Sequence, residues 1–124
     1  MQRTLRDDTI DSVVQFWRRH GYYDLSYDRL WFIIARHLEL GTLLIERNRN
    51  KEIVGICRFN INGTTCHCLD VVIRPDYRNK HILKLMIIRG LRKFPMTTTL
   101  VYERGLRGNK RRSYNIMKFL RLEK

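Results

Sequence analysis

The residues best suited to chemistry lie in one segment, residues 69–83, which combines a strand-forming run with a proline turn and the start of a helix. Residues 71–73 are β-branched and favour a strand, which Pro75 then ends. A strand that leads into a helix is a common phosphate site, because the first N–H groups of a helix have no intrahelical acceptor. Asp70 is the candidate general base. Its alternative role is an ion pair with a nearby Arg or Lys.

The same segment resembles the acyl-CoA-binding segment of the GNAT family of N-acetyltransferases, in which V-x-P-x-x-R leads into R-x-x-G-x-G/A. Ile73-Arg74-Pro75 and Arg78 match that pattern, whereas His81 and Leu83 stand where the family has small residues. The resemblance extends over roughly residues 9–120. It implies acetyl-CoA as cofactor, bound between the strands 69–74 and 97–102. The implied cofactor contacts are Val71, Ile73, Arg78, Asn79, Lys80, His81, Ile82, Leu83 and Asn109.

The resemblance also covers the family's final helix, which we expect at residues 109–120. Asn109 and Lys118 fit the family pattern. Three residues stand where the family has a small residue, the general-acid Tyr and a Gly, namely Arg112, Ile116 and Leu120. Tyr114 is then the remaining candidate acid, on a different face of the helix. The family continues into two further strands, which we expect to be absent here.

Two helices are predicted before the first strand. Apolar residues at helical spacing mark the first one, which Gly21 ends, and they are Ile10, Val13, Val14 and Trp17. Ser26 is the predicted N-cap of the second helix, and Gly41 follows its end. His20 and His37 lie near the helix C-termini, where the helix dipole favours a cation.

Two hairpins are predicted next, the first from residues 42–47 and 53–60. Asn62-Gly63 is a strong type I′ turn signal for the second. If these two residues form the loop, the residue numbers of each cross-strand pair add up to 125. The predicted pairs are then Ile61 with Thr64, Phe59 with Cys66, and Cys57 with Cys68. Strict strand alternation then places His67 and Asp70 on opposite faces of the sheet.

The remaining elements complete a predicted α/β (α+β) fold. Residues 81–91 are apolar on every side and predict a helix buried against the sheet, and residues 97–102 predict a parallel central strand. We therefore expect one domain over residues 1–124, with a mixed sheet of about five strands and about four helices. Without the closing strands, one sheet edge stays open, and we expect a partner chain or a second copy to cover it.

The three cysteines are too few for a disulfide framework and indicate a reducing compartment. Cys66-His67-Cys68 suggests metal binding, but the predicted faces separate His67 from both thiols, and a fourth ligand is lacking. We therefore predict no metal site and expect the thiols to fill one face of the sheet as small buried side chains.

Charge is distributed unevenly along this chain, whose formal net charge is +13. Residues 1–46 carry six Lys or Arg against seven Asp or Glu, whereas residues 47–124 carry nineteen against five. Such a field favours nucleic acid, an acidic protein surface or the phosphates of a cofactor as partner, the alternative being a solvated face that aids solubility. The candidate polyanion-binding residues are Arg104, Arg107, Lys110, Arg111, Arg112 and Lys118.

Two functions are consistent with these observations. We favour a non-catalytic protein of this fold that binds an anionic partner, as in small phage, mobile-element or virion-associated accessory proteins, because the two small residues, the helical Tyr and the closing strands are absent. The alternative is an acetyl-CoA-dependent N-acetyltransferase acting on an amine of a protein or a small molecule. No apolar run is long enough to span a bilayer, so we expect no membrane association and a cytoplasmic or virion-associated location.

Overall fold

The computed structural model describes residues 4–21, 25–78, 81–104 and 110–115, with side chains as far as Val101. The helices are α1 (Leu5–His20), α2 (Tyr27–Leu40) and α3 (Ile82–Lys93), with a 3₁₀ turn at Pro75–Tyr77. The strands are β1 (Leu43–Arg47), β2 (Ile53–Asn62), β3 (Thr65–Ile73), β4 (Thr99–Arg104) and β5 (Lys110–Asn115). As predicted, two helices precede the first strand, and one helix separates β3 from β4.

The two N-terminal helices have well-defined ends. Thr4 caps α1, because its hydroxyl accepts from the backbone N–H of Asp7 at 3.0 Å. In return, the Asp7 carboxylate accepts from the backbone N–H of Thr4. Ser26 caps α2 by accepting from the N–H of Arg29 at 3.2 Å. Gly41 ends α2 in the left-handed conformation, with φ of 75°. The predictions for Ser26 and Gly41 are therefore confirmed.

All five strands form one sheet in the order β1-β2-β3-β4-β5. Neighbouring strands are antiparallel except β3 and β4, which are parallel. A parallel pair needs a crossover connection, and α3 supplies it. The predicted mixed sheet of about five strands is therefore confirmed.

The helix predicted for residues 109–120 is wrong over the part that the structure describes. Lys110–Asn115 is strand β5, which pairs with β4 and places Leu100 opposite Tyr114. A strand forms here because its backbone groups complete the ladder along β4, and six residues without an apolar stripe have no helix face to bury. The same pairing corrects the prediction of an open edge at β4, which β5 covers. Asn109, Ile116, Lys118 and Leu120 lie outside the described residues.

The hairpin between β2 and β3 is shifted from its predicted register. Asn62 pairs with Thr65, so the two-residue loop is Gly63-Thr64. Gly63 has φ of 61° at the first loop position, as a type II′ turn requires, whereas the prediction assumed type I′. From Asn62 back to residue 59, each partner lies two residues further along β3 than predicted. The predicted pairs that are wrong are Ile61 with Thr64, Phe59 with Cys66, and Cys57 with Cys68.

A β-bulge interrupts β3 at Leu69. Cys68 and Asp70 lie opposite adjacent residues of β2, which leaves Leu69 without a partner on that strand. The extra residue reverses the alternation of side chains. His67 and Asp70 therefore share one face of the sheet, and the prediction that they lie on opposite faces is wrong.

The sheet packs differently on its two faces. The helix-pair core lies under α1 and α2 and consists of Ile10, Val13, Val14, Phe16, Trp17, Leu30, Ile34, Ala35, Leu43, Ile56 and Val72. The single-helix core lies under α3 and consists of Leu44, Cys57, Phe59, Cys66, Cys68, Met86, Ile87 and Leu100. Of α3, Met86, Ile87 and Gly90 are buried, while Leu85 is 46% exposed. The prediction that this helix packs against the sheet is confirmed, while its outer side stays in solvent.

Candidate functional site

Strands β3 and β4 separate at one end of the sheet. Within the described residues they pair from Thr65 to Cys68 of β3, and the bulge at Leu69 follows. Beyond the bulge, β3 continues to Ile73 with β2 as its partner, while β4 continues with β5 as its partner. The pairing of the two parallel strands thus ends near their carboxyl ends, which is where open α/β sheets bind ligands.

The backbone between β3 and α3 lies at this end of the sheet. Arg78 ties the 3₁₀ turn to the strand, because its Nε donates to the carbonyl of Ile73 at 3.2 Å. Helix α3 begins at Ile82, and the side chain of His81 does not cap it. The first N–H groups of α3 have no acceptor within the helix, as a phosphate site requires. Of the predicted cofactor residues, Asn79, Lys80 and Asn109 lie outside the described residues.

The two bulky residues at the start of α3 are accommodated differently. His81 is exposed and has a left-handed backbone, with φ of 57°, which a glycine adopts without strain. The turn therefore keeps a glycine-like backbone although it carries a side chain. Leu83 is half-buried and packs with Ile82 against the single-helix core. The Leu83 side chain thus contacts the core that lies beneath the helix.

Asp70 lies on the face of the helix-pair core and forms an ion pair with Arg58. Nε of Arg58 donates to Oδ2 of Asp70 at 2.8 Å, and Nη2 donates to the same oxygen. The Asp70 side chain is 8% exposed and that of Arg58 is 22% exposed. The ion pair that was the alternative role of Asp70 is therefore present. No residue in the described ranges donates to Oδ1.

The ion pair continues into a buried polar chain that the sequence analysis missed. Nη1 of Arg58 lies 3.3 Å from Nε2 of His37, and Nδ1 of His37 lies 2.7 Å from Oγ1 of Thr42. Burial, followed by the charge of Arg58, lowers the pKa of His37. His37 is thus a buried neutral ring, and the helix-end cation predicted for it is wrong. An available signal was Arg58 itself, a charged residue inside an apolar strand.

The candidate acid and the other strand residues occupy separate places. Tyr114 lies in strand β5 opposite Leu100, and not on the face of a helix as predicted. Val71 and Ile73 follow the bulge and pack against the single-helix core. The catalytic role of Tyr114 and the cofactor contacts of Val71 and Ile73 stay predictions.

The candidate polyanion-binding residues lie partly in the hairpin formed by β4 and β5. Arg104 is opposite Lys110, and Arg111 and Arg112 follow on β5. The pairing therefore gathers four basic positions on two adjacent strands. Arg107 and Lys118 lie outside the described residues.

The three thiols lie together in the single-helix core. Sγ of Cys57 and Sγ of Cys68 are 3.5 Å apart. Burial raises the pKa of Cys66 to about 12. The thiols border an apolar cavity of about 20 Å³, and in the described part of the chain no three metal-binding side chains converge. The prediction of small buried thiols on one face is confirmed.

Comparisons with known proteins identify the architecture. The model of the acetyltransferase (GNAT) family matches residues 3–94. A GNAT family acetyltransferase from Streptococcus pneumoniae superposes with a TM-score of 0.59 at 14% identity, covering 78% of this chain and 69% of that protein. The PaiA N-acetyltransferase from Thermoplasma acidophilum, solved with coenzyme A, superposes with a TM-score of 0.59 at 15% identity, covering 97% of this chain and 84% of that protein.

A phosphinothricin acetyltransferase from Sinorhizobium meliloti, solved with AcCoA, gives a TM-score of 0.62 at 10% identity and 84% coverage of this chain. The chain spans 64% of that enzyme's length. At such identities the similarity shows the fold alone. No curated protein matches the sequence. Among the described helices, none combines the length and the apolar character needed to cross a bilayer.

Proposed function

Because this chain belongs to the GNAT acetyltransferase family, we propose that it binds acetyl-CoA between β3 and β4 and transfers the acetyl group to an amine. The observation that carries this proposal is the divergence of the parallel strands after Cys68, beside the uncapped start of α3. Two grounds for the non-catalytic hypothesis are also weaker in the folded chain. The segment expected to hold a helical Tyr is a strand, and a further strand follows β4.

The residues fit the cofactor in two places. The N–H groups at the start of α3 would hold the pyrophosphate, with Arg78 close by. When bound, acetyl-CoA supplies an activated thioester. Asp70 would take the proton of the attacking amine on Oδ1, directly or through a water, while Arg58 holds Oδ2 in place. The acceptor amine belongs to a protein or to a small molecule.

Titration calorimetry with acetyl-CoA tests this binding, supported by the shift of the melting temperature. We expect wild-type protein to bind, and His81→Gly to bind more tightly because a glycine lets the pyrophosphate approach the backbone at the start of α3 more closely. Leu85→Ala is the matched control, since it changes an exposed residue of the same helix. Absence of heat and of a melting shift at millimolar acetyl-CoA would refute cofactor binding.

Turnover is tested separately by measuring CoA release in the presence of amine acceptors. Asp70→Asn should lower kcat while leaving the affinity for acetyl-CoA unchanged, because Asp70 acts on the amine and not on the cofactor. Binding without turnover for any amine would support a non-catalytic role and contradict the transferase proposal.

The second candidate is a non-catalytic, degenerate GNAT protein that binds nucleic acid or an acidic protein surface, such as a phage, mobile-element or virion-associated accessory protein. It is favoured by the excess of basic residues in residues 47–124 and by their positions on the hairpin of β4 and β5. A partner chain or second copy would then extend the sheet at β5, which is its edge strand among the described residues. Cytoplasmic or virion-associated location also remains a prediction.

Polyanion binding that weakens steeply with salt would support this second candidate. The test variant replaces Arg107, Lys110, Arg111 and Arg112 with Ala. Unchanged affinity of this variant for DNA, RNA and an acidic peptide would exclude the basic hairpin as the binding surface.

A further inference from the structure

A second cleft lies apart from the gap between β3 and β4. It is bordered by the C-terminal part of α1, the turn between β1 and β2, and the residue that follows β3. Its volume is about 310 Å³. This volume lies at the lower end of the range for pockets that bind small molecules. The cleft can therefore hold a small ligand and not only an ion.

The lining of this cleft is strongly basic. Arg19, Arg47, Lys51 and Arg74 supply four positive charges, against Glu52, which also pairs with Arg74 at 3.7 Å, and Asp76, which pairs with Arg74. The lining therefore carries a net positive charge, and a dianion balances it better than a monoanion does. A phosphate monoester carries a charge of about −1.5 to −2 at neutral pH. The charge of the cleft thus favours a phosphate over a single carboxylate.

Two of the cations are fixed in position by neighbouring groups. Nε and Nη2 of Arg74 donate to the Asp76 carboxylate at 2.8 and 3.0 Å. Nη1 of Arg47 donates to the backbone carbonyl of Lys51 at 2.8 Å. A carbonyl is neutral, so Arg47 keeps its full charge for a ligand. Fixed cations bind with less loss of side-chain entropy than mobile ones.

Two other cations are available for binding. In the part of the chain that the structure describes, the side chains of Arg19 and Lys51 make no hydrogen bond or ion pair. Both residues are exposed. A phosphate in the cleft would therefore gain charge-assisted hydrogen bonds without breaking existing ones.

Two aromatic rings, those of Phe16 and His20, also line the cleft. The rings of Phe16 and His20 lie 4.9 Å apart at 59°. Burial, followed by the charges of Arg19, Arg74 and Arg78, lowers the pKa of His20, while Asp76 opposes them. The histidine is thus a neutral ring in a positive field, and its half-buried ring, with the edge of the mostly buried Phe16, gives an organic group a surface to pack against.

We propose that this cleft binds the phosphate monoester group of a small organic phosphate, whose organic part packs against Phe16 and His20. Arg19 and Lys51 bind the phosphate oxygens, and Arg47 supplies fixed positive charge beside Arg74, whose own charge is balanced by Asp76 and Glu52. Phosphate binding in this cleft does not require that the protein transfers acetyl groups.

Calorimetric titrations with inorganic phosphate, phenyl phosphate and benzyl alcohol test the site in chloride buffer of constant ionic strength. We expect phenyl phosphate to bind more tightly than inorganic phosphate, and benzyl alcohol not to bind. The variant Arg19→Gln with Lys51→Gln should weaken phenyl phosphate binding by about tenfold or more. Both side chains are exposed and unbonded, so the fold should persist, which circular dichroism checks.

The matched control is Arg18→Gln with Arg49→Gln, which removes the same charge from exposed neighbours that do not line the cleft. Its affinity for phenyl phosphate should stay close to wild type. Equal losses in both variants would mean that only overall charge matters and would overturn the proposal. Absence of binding of either phosphate would also overturn it.

A last titration separates this cleft from the cofactor site. Phenyl phosphate affinity should be the same with and without saturating acetyl-CoA. Displacement by acetyl-CoA would show that the cleft serves the cofactor's own phosphates and would overturn a separate site. If acetyl-CoA does not bind at all, the function proposed above fails, but the phosphate titrations still show whether this cleft binds a phosphate monoester.

Discussion

Two helices cover one face of the sheet, and one helix covers the other. Under α1 and α2, five core residues have no exposed surface, namely Ile10, Val13, Val14, Leu30 and Ile34. Under α3, a cavity of about 20 Å³ remains, and small thiols replace larger side chains. Two helices can close over a twisted sheet, whereas one leaves space at its sides. The helix-pair core is therefore the more completely packed of the two, and the space in the single-helix core lies beside Ile87, Gly90 and Leu91 of α3.

The largest expected effect concerns the thiols of the single-helix core. Burial raises the pKa of Cys66 to about 12 from a usual value of 9.0. Because the thiolate is the reactive form, Cys66 should react with a thiol reagent at pH 8 about a thousandfold more slowly in the folded protein than in guanidinium. The measurement uses Cys57→Ser with Cys68→Ser, which leaves Cys66 alone. Equal rates in both states would mean that this core opens readily.

A matched pair of isoleucines compares the packing of the two faces. Ile34→Ala should lower the free energy of unfolding by about 4 kcal/mol, because Ile34 is fully buried in the helix-pair core. Ile87→Ala should cost only about 2 kcal/mol, because Ile87 already borders a cavity and lacks contacts on one side. Urea unfolding measures both values. Equal losses in the free energy of unfolding would contradict a difference in packing between the two faces.

Two ion pairs extend the comparison to charged groups. Arg58→Ala should cost about 3 kcal/mol, because it leaves the mostly buried Asp70 without its partner. Arg89→Ala should cost less, about 2 kcal/mol: it also leaves a mostly buried carboxylate, Glu46, but Arg89 is 58% exposed, so water already screens this pair. Adding Asp70→Ala to Arg58→Ala should recover part of the loss. A double variant that is less stable than the sum of the two single variants would contradict this account.

The smallest effect is a pH dependence. Burial and Arg58 lower the pKa of His37 below 6.5 in the folded protein, although Asp70 acts in the opposite direction. As the pH falls below 6.5, the unfolded chain binds a proton on His37 that the folded chain does not bind. The free energy of unfolding is therefore unaffected by His37 above pH 6.5 and decreases below it. His37→Gln should reduce this loss of melting temperature between pH 7.5 and 5.5. His20→Gln should reduce the loss as well, because the pKa of His20 is also lowered, and an unchanged slope in H37Q would contradict the role of His37.

Much of the fold could be predicted because its signals are local. Ser26 and Gly41 bound a helix through contacts within a few residues, and the apolar spacing from Ile10 to Trp17 fixes a buried stripe. The strand, turn and helix around Pro75 were also predicted. These features depend on neighbours along the chain, so the sequence displays them directly.

The errors concern contacts between distant segments. The register of β2 on β3 differs from the prediction because Gly63 occupies the first loop position, and the bulge at Leu69 reverses the faces beyond it. The partnership of Asp70 with Arg58 and the burial of His37 follow from that register. No local pattern specifies them.

Sequence alone specified the ends of α2, the apolar stripe of α1, the family resemblance and the excess of positive charge, because each depends on residue types and short spacings. The tertiary structure alone decided that residues 110–115 form a strand, that β3 and β4 part after Cys68, and that four cations from three segments surround one cleft. Pairing between strands depends on which backbone groups remain unsatisfied once the rest of the chain has folded, and that is a property of the whole molecule.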